Sequence, residues 1–389
     1  MQDFDVVILG AGAAGLMCAM AAGARGRRVL LLDHAAQAGS KILISGGGRC
    51  NFTNTDTAPD RFLSDNPHFA KSALKRYTAR DFVALVEKHR IPFHEKTLGQ
   101  LFCDGSARAV VAMLLAECDA AGVDLRLNHR ITEVSRADRF RVDTDRGGFS
   151  ATSLVLATGG LSIPKMGATG FSLDLARRFG LPVTATRPAL VPLTFSGEEL
   201  ELMQPLSGVS LEVVARCGRQ AFREAMLFTH RGLSGPAVLQ VSSLWRPGES
   251  LTLDLLPGTD AAAFLLERKC SRPRAELRTV LGEVLPGRLA QALGAGAAQE
   301  MGNLPDKALR AVAEGLGRRR VTPSGTEGYA KAEVMGGGVD TAALSSRTLE
   351  AAAVPGLYVV GEAVDVTGWL GGYNFQWAWS SGWCAGQVA

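Results

Sequence analysis

Residues 4–15 read FDVVILGAGAAG, and RRVLLLD follows at residues 27–33. Apart from Asp5 the opening six residues are apolar, and Val6, Val7 and Ile8 are β-branched, which predicts a strand. The glycine-rich turn then opens an Ala- and Leu-rich helix pattern that runs to about Ala24, and a second apolar strand ends on Asp33. Strand, GxGxxG turn, helix, strand and terminal acid in this order predict the first βαβ unit of a dinucleotide-binding fold. Each glycine has its own task. Gly10 permits the tight turn, Gly12 lets the backbone approach a pyrophosphate, and Gly15 lets helix and strand pack closely. The helix amino terminus faces the phosphate charge. Asp33 is placed for the adenosine ribose hydroxyls, and an acid there disfavours a 2′-phosphate, so FAD or NAD is expected before NADP.

Working outward, the chain does not continue with the further αβ units of a nicotinamide dehydrogenase. It gives a glycine-rich loop at 39–54 containing SGGGRCNFTN, then helix patterns at about 67–89 and 107–121, with Ser106 as a cap and Gly122 as a stop. Short strands follow near 123–134 and 138–144, then a Gly147-Gly148 turn and a strand, ATSLVLATGG, closing on Thr158, Gly159 and Gly160. A small antiparallel excursion followed by such a strand is the layout of flavoproteins with the two-dinucleotide-binding fold. The last segment, GLYVVGEAVDVTGWLGGYNFQWAWSSGWCAG at 356–386, reads as strand, acid, glycine pair and buried helix. It predicts closure onto the domain begun at residue 1. Asp365 is expected at the ribityl or pyrophosphate region. The amides of Asn374 and Phe375 are expected to aim the helix dipole at the flavin pyrimidine edge. Trp377, Trp379 and Trp383 read as core or interface aromatics.

Composition narrows the function classes. With 47% hydrophobic and 21% charged residues, the 389-residue chain is long enough for two or three globular domains. No apolar run reaches transmembrane length, and the opening lacks the basic region of a signal peptide, so a cytoplasmic location is expected. The seven cysteines form no CxxC and no cluster with metal spacing. The net charge is only +4 and the basic residues are dispersed. The run Arg318, Arg319, Arg320 reads as a solvated helix end. These features argue against nucleic acid as a partner and for a small-molecule substrate, with no signal of oligomeric state.

The segments GAGAAG, KILISGGGRCNFTN, LATGGLSIPKMGATG, LFTHRGLSGPAVLQ and VPGLYVVGEAVDVTGWLGGYNFQWAWSSG together resemble the HI0933-like flavoproteins, a group often described as NAD(P)/FAD-dependent or aminoacetone-oxidase-like oxidoreductases. The resemblance spans nearly the whole chain. It implies an α/β protein whose FAD domain is built from both chain ends, with an inserted β-rich domain and a small helical part. The boundaries follow as 1–188 and 328–389 for the FAD domain, 189–258 for the β-rich insertion and 259–327 for its helical part. By motif match it implies an FAD site of Gly10, Gly12, Ala13, Ala14, Gly15, Asp33, His34, Lys41, Gly46, Gly47, Gly48, Arg49 and Asn51. Ile131, Thr158, Gly159, Gly361, Asp365, Gly372, Asn374 and Phe375 complete the set, with the Ile131 backbone meeting adenine. VMGGGV at 334–339 and the alanines 351–353 depart from the family pattern.

The residues themselves support the same division. ALVPLTF, VSLEVVAR, QAFREAMLF and LTLDLL read as strands between about 189 and 256, and residues 260–318 switch to helix patterns. Flavin supplies redox chemistry, so the protein must position substrate and tune the cofactor. Four side chains are candidates. Arg49 is a cation for the pyrophosphate, the flavin carbonyls or a carboxylate substrate. Cys50 is either a thiolate activated by Arg49 and loop amides or an inert packed thiol. Lys165 is a cation facing the ring or a solvent lysine. His230 is an acid–base group or a structural hydrogen-bonder. The expected function is an FAD-dependent oxidoreductase of a small organic substrate, with NAD(P)H as a transient reductant. The alternatives are a flavin-dependent RNA-modifying enzyme and a non-enzymatic flavin redox sensor.

Overall fold

The computed structural model describes residues 1–295 and 299–389, so the helical stretch expected over 260–318 includes three positions outside the described residues. The chain divides into two compact units: Met1–Arg187 with Val334–Ala389, and Pro188–Glu333.

The first unit grows from two strands, β1 (Gln2–Leu9) and β2 (Val29–Leu32), joined through helix α1 (Ala13–Gly23). Val6 to Leu9 lie parallel to Val29 to Leu32, and none of these eight side chains is more than 1% exposed. Both faces of the sheet are covered, which is why the strands read as continuous apolar runs instead of alternating. Asp124–Arg126 flanks β2 in parallel. The strand Gly147–Leu156 takes the other side of β1, and Leu357–Val359, from the far end of the chain, lies parallel beyond it. Strand 147–156 belongs to two layers of pairing. Its first half pairs antiparallel with Phe140–Thr144, which pairs with Ile131–Arg136, while Leu154–Leu156 completes the parallel core. The carboxyl ends of four parallel strands therefore open on one edge, bringing Gly10, Asp33, Thr158 and Gly361 together, the position where open α/β sheets bind ligands.

Two local readings differ from the structure. The helix expected over 67–89 is two helices, Ala70–Arg76 and Ala79–Lys88. The break follows from local chemistry: Tyr77 is extended, and Thr78 caps the second helix in a reciprocal box, its amide donating to Asp81 Oδ2 at 2.7 Å. The loop expected over 39–54 contains helix α2 (Ser40–Gly48) and strand β3 (Asn51–Asn54), because KILIS supplies a turn of helix with Ile42 buried against the core.

The terminal helix, Tyr373–Gly386, lies against α1. A Cβ at Gly382 would stand 2.3 Å from the Ala14 carbonyl oxygen, and one at Gly386 would stand 2.6 Å from that of Cys18. Four residues apart, the two glycines share one helix face and let the two backbones touch.

The second unit is an antiparallel sheet of seven strands. In spatial order they are Arg319–Val321, Leu251–Asp254, Ser210–Cys217, Gln220–Thr229, Gly232–Ser234, Leu193–Thr194 and Gly325–Thr326. Its core includes Val213, Ala215, Phe222, Met226, Leu251 and Leu253, which lie at even spacings along their strands and so share one face. The short helix Pro236–Ser242 packs on the strands Ser210–Cys217 and Gln220–Thr229, and helices Ala261–Ser271 and Asp306–Gly317 pack on each other. Among the described residues, no helix is long and apolar enough to cross a membrane.

Candidate functional site

The first half of the site is the turn between β1 and α1. Gly10 has φ +107°, and a Cβ there would stand 2.6 Å from the carbonyl oxygen of Ala157, so this position needs glycine for both conformation and space. A Cβ at Gly15 would stand only 1.8 Å from the Gly10 oxygen, whereas one at Gly12 would meet nothing within 4 Å. The open side of the turn is thus at Gly12, where Ala13 and Ala14 begin the helix. Asp33 accepts the Ala11 amide at 2.7 Å on one oxygen and the Ala35 amide at 2.8 Å on the other. Those two bonds fix the carboxylate at the turn and leave lone pairs for ribose hydroxyls. The amides of Asn128 and His129 donate to the carbonyls of Ala35 and Asp33, which brings the Ile131 backbone to the same end. His34 is half exposed with its ring against Gly167, where a Cβ would stand 2.6 Å from Nε2.

The second part is the SGGGRC run. The regular helix stops at Ser45, and Gly46, Gly47 and Gly48 follow with φ of +57°, +67° and +85°. Three consecutive left-handed residues explain the glycines, because a side chain there is strained. At Gly46 a Cβ would also run into the Phe102 ring, whereas at Gly47 it would meet nothing within 4 Å, so Gly47 presents open backbone to solvent. The Asn51 carboxamide lies 3.0 Å from that of Gln100; with its oxygen turned to the Gly372 amide (3.3 Å) it also donates to the Thr53 and Leu101 carbonyls.

A third feature joins three distant segments. Lys41 Nζ lies 2.5 Å from Glu362 Oε2 and donates to Ser162 Oγ at 2.6 Å, while Glu362 Oε1 accepts the Ser162 hydroxyl at 2.6 Å and the Met335 amide at 2.9 Å. The cluster stands beside Gly159 and Gly160, whose absent side chains leave room for the Glu362 carboxylate. Lys41 and Gly159 were expected here; Ser162 and Glu362 were not. The only signal in the sequence was the acid at the end of the LYVV strand. Thr158 is tied to Ser172, 2.6 Å away through their hydroxyls. Asp365 is buried, its carboxyl pushed above the usual carboxylate range by that burial, and it accepts the Asp65 amide at 3.2 Å.

The terminal helix closes the edge. Trp377 Nε1 donates to the Gly361 carbonyl at 3.0 Å and Ser381 accepts the Gly361 amide, so both peptide groups of that left-handed residue are held. Trp379 Nε1 donates to Phe52, and Thr53 donates to Gln376, which stitches β3 to the helix. Gly372, at φ +94°, caps the helix where a Cβ would meet the Thr53 carbonyl at 2.4 Å. Asn374 clamps the preceding turn through Gly368, and Phe375 stacks on Trp379.

The catalytic candidates separate. Arg49 and Lys165 are exposed, and Arg49 has no side-chain partner among the described residues. Cys50 is fully buried beside Ser45 and Cys103, and burial pushes its thiol up to about 12. The thiolate reading is corrected: the adjacent Arg49 points to solvent, and desolvation outweighs the lowering hydrogen bond from Ser45. His230 belongs to the second unit, with Arg231 forming the exposed two-residue tip between strands Gln220–Thr229 and Gly232–Ser234. Native alkylation is therefore expected at Cys270, the exposed thiol, with Cys50 and Cys103 reacting only after unfolding. Peptide mass spectrometry showing Cys50 modified in the folded protein would restore a reactive role.

The glycine turn with open space at Gly12, the carboxylate held at Asp33 and the left-handed loop at Gly46–Gly48 fit a dinucleotide laid along the carboxyl edge of the sheet. The family model described as "HI0933-like protein Rossmann domain" matches residues 4–388. The chain belongs to the HI0933-like family. It is accordingly a flavin-dependent oxidoreductase, and membership implies FAD binding. Three relatives match it over nearly its whole length. A ribosomal RNA dihydrouridine synthase of Escherichia coli is 51% identical over 397 residues, covering 100% of this chain and 98% of the relative. One of the same name from Haemophilus influenzae is 46% identical, covering 100% and 99%. A 3-dehydro-bile acid delta(4,6)-reductase of Clostridium scindens is 31% identical, covering 98% of each. The first two overturn the expectation that nucleic acid is not a partner. Net charge alone does not exclude RNA, because contacts to phosphates need a few placed cations and not a basic total.

Proposed function

We propose that this protein reduces a uridine of ribosomal RNA to dihydrouridine. The full-length 51% identity to the Escherichia coli enzyme of that name carries the reading. Shared chemistry supports it. Dihydrouridine forms when hydride adds to C6 of the uracil C5=C6 bond and a proton adds to C5, with the C4 carbonyl drawing charge from the ring. The bile acid reductase, by its name, also reduces carbon–carbon double bonds of an oxo compound. Bound FAD, once reduced, would supply the hydride. NAD(P)H is proposed as the source of reducing equivalents, one per dihydrouridine, with the remaining proton drawn from solvent or a protein group.

The residues proposed to hold FAD are those at the carboxyl edge. The Gly12 turn and start of α1 take the pyrophosphate, Asp33 the ribose, the His129–Ile131 backbone the adenine, and Gly46–Gly48, Asp365 and Gly372 the ribityl and ring region. Lys41, oriented by Glu362 and Ser162, is a fixed cation beside Gly159. Arg49 and Lys165 are exposed cations available to a polyanionic substrate.

The test is direct. FAD-loaded protein, NADH or NADPH, and ribosomal RNA from cells lacking the modification are incubated, and nucleosides are analysed by mass spectrometry. Dihydrouridine is expected at a defined position, in an amount matching the nucleotide oxidised. Oxidation of NAD(P)H without dihydrouridine in any ribosomal RNA would defeat the reading.

A further inference from the structure

We infer that the open face of the second unit's antiparallel sheet docks the phosphate backbone of the RNA substrate, with Arg216 and Arg320 as its central contacts. The inference rests on the ribosomal RNA reading above and adds the surface that holds the nucleic acid.

The register makes the case. Arg216 pairs with Ala221 on one side and Thr252 on the other, and Thr252 pairs with Arg320 on the edge strand. Ala221, Arg216, Thr252 and Arg320 thus form one row across four strands, on the face opposite the buried core residues. Arg216 and Arg320 stand two strands apart, on the order of 10 Å. Both are exposed, and neither has a hydrogen bond, ion pair or ring contact among the described residues. Arg219, in the turn that joins two of these strands, is likewise exposed and unpartnered.

The contrast with neighbouring cations is informative. On the same face Arg223 is held by Glu212 at 2.8 Å, and on the helices Arg268 is held by Glu283 and Lys269 by Asp306, each at 2.7 Å. The nearest acids are engaged by backbone and not by these arginines: Glu199 accepts the Thr322 amide at 3.2 Å, and Asp254, on the same face, accepts the Leu256 amide at 3.0 Å. Two guanidinium groups with no ion pair to any acid among the described residues, set over small residues on a sheet face, suit the charge of a phosphodiester strand. The row carries no aromatic side chain, so it lacks platforms for base stacking. It also lacks the large apolar anchors a protein partner requires. Its readout is therefore the backbone. Arg320 belongs to the run first read as a solvated helix end. Only Arg318 ends the helix; Arg319 turns half-buried into the sheet and Arg320 returns to the open face.

The experiment compares the FAD-loaded full chain with Arg216→Gln/Arg320→Gln and with Lys307→Gln/Arg310→Gln, two exposed cations on helix Asp306–Gly317. Binding to protein-free ribosomal RNA is measured by filter retention across a salt series, alongside dihydrouridine formation. For the sheet variant, Kd is expected to rise about 10–100-fold and the log Kd against log salt slope to fall by about 2. KM for RNA should rise while kcat changes little, and circular dichroism should report an intact fold. Unchanged Kd and slope in a sheet variant, with the parent still making dihydrouridine, would overturn the surface and leave the function standing. An equal loss in the helix variant would also overturn it, since diffuse charge would then suffice. A parent that makes no dihydrouridine would remove both.

Discussion

A Gly15→Ala chain is expected to purify without flavin and to melt many degrees below the parent. The new Cβ would stand 1.8 Å from the Gly10 carbonyl oxygen and 3.3 Å from Ala157 Cβ. Both neighbours stand just past the ends of adjacent parallel strands, and the closer is backbone, so relief requires α1 to lift away from β1. Overpacking of a closed core costs about 1–3 kcal/mol, and a clash with backbone lies at the upper end or beyond. The same displacement moves the helix amino terminus proposed to face the pyrophosphate. Gly12→Ala separates the two effects. Its Cβ meets nothing within 4 Å, so the apoprotein should keep its stability to within about 0.5 kcal/mol while flavin affinity collapses. Flavin titration and thermal melts of both variants decide the matter. A Gly12→Ala protein that binds FAD like the parent would refute the assignment of that open space to pyrophosphate.

The second large effect is expected at Glu362. One carboxylate receives Lys41, Ser162 and the Met335 amide, drawn from three separate parts of the chain. Glu362→Gln keeps the shape but removes the charge, leaving Lys41 in a partly enclosed setting without its counterion. Lys41 is 33% exposed and Glu362 19%, so solvent screens part of the interaction. A loss of about 1–2 kcal/mol is appropriate, below that of a fully buried pair. Flavin affinity or turnover should fall by about tenfold or more. The informative variant is the double one, Lys41→Met/Glu362→Gln. With no charge left unpaired, its melting temperature should lie above the sum of the two single losses. Strict additivity would show that the pair is not coupled and that Glu362 does not orient Lys41.

The parts of this molecule that were readable from the sequence are those imposed by local geometry. Gly10, Gly12, Gly15 and Asp33 follow one another at spacings set by a single turn and helix, so order alone assigns their positions in the βαβ unit. The run Gly46–Gly48 advertised a backbone requirement, although not that the three residues would all be left-handed, nor that KILIS would form a helix before them. What stayed hidden depends on pairings between remote segments. Lys41 and Glu362 meet across 321 residues of sequence, and no periodicity encodes that meeting. The Arg216–Arg320 row exists only once the strand register is known, since a slip of one residue would send either side chain into the core. Cys50 drew attention through its neighbours in sequence, whereas its chemistry is set by its burial beside Cys103. A count of charges is blind in the same way: it weighs every arginine alike, whether bound to an acid or free.

The contacts of the terminal helix also fix an order of events during synthesis. Gly382 and Gly386 seat on α1, Trp377 and Ser381 hold Gly361, and Trp379 and Gln376 hold β3. The opening turn is translated first, yet the walls that complete its edge leave the ribosome more than 300 residues later. The second unit is one continuous stretch, Pro188–Glu333, and can fold in the interval. During that time the apolar strands of the first unit lack their last partner and its covering helix. The newborn chain is thus most vulnerable to aggregation and proteolysis before residue 386 emerges, and the edge proposed to hold flavin closes last.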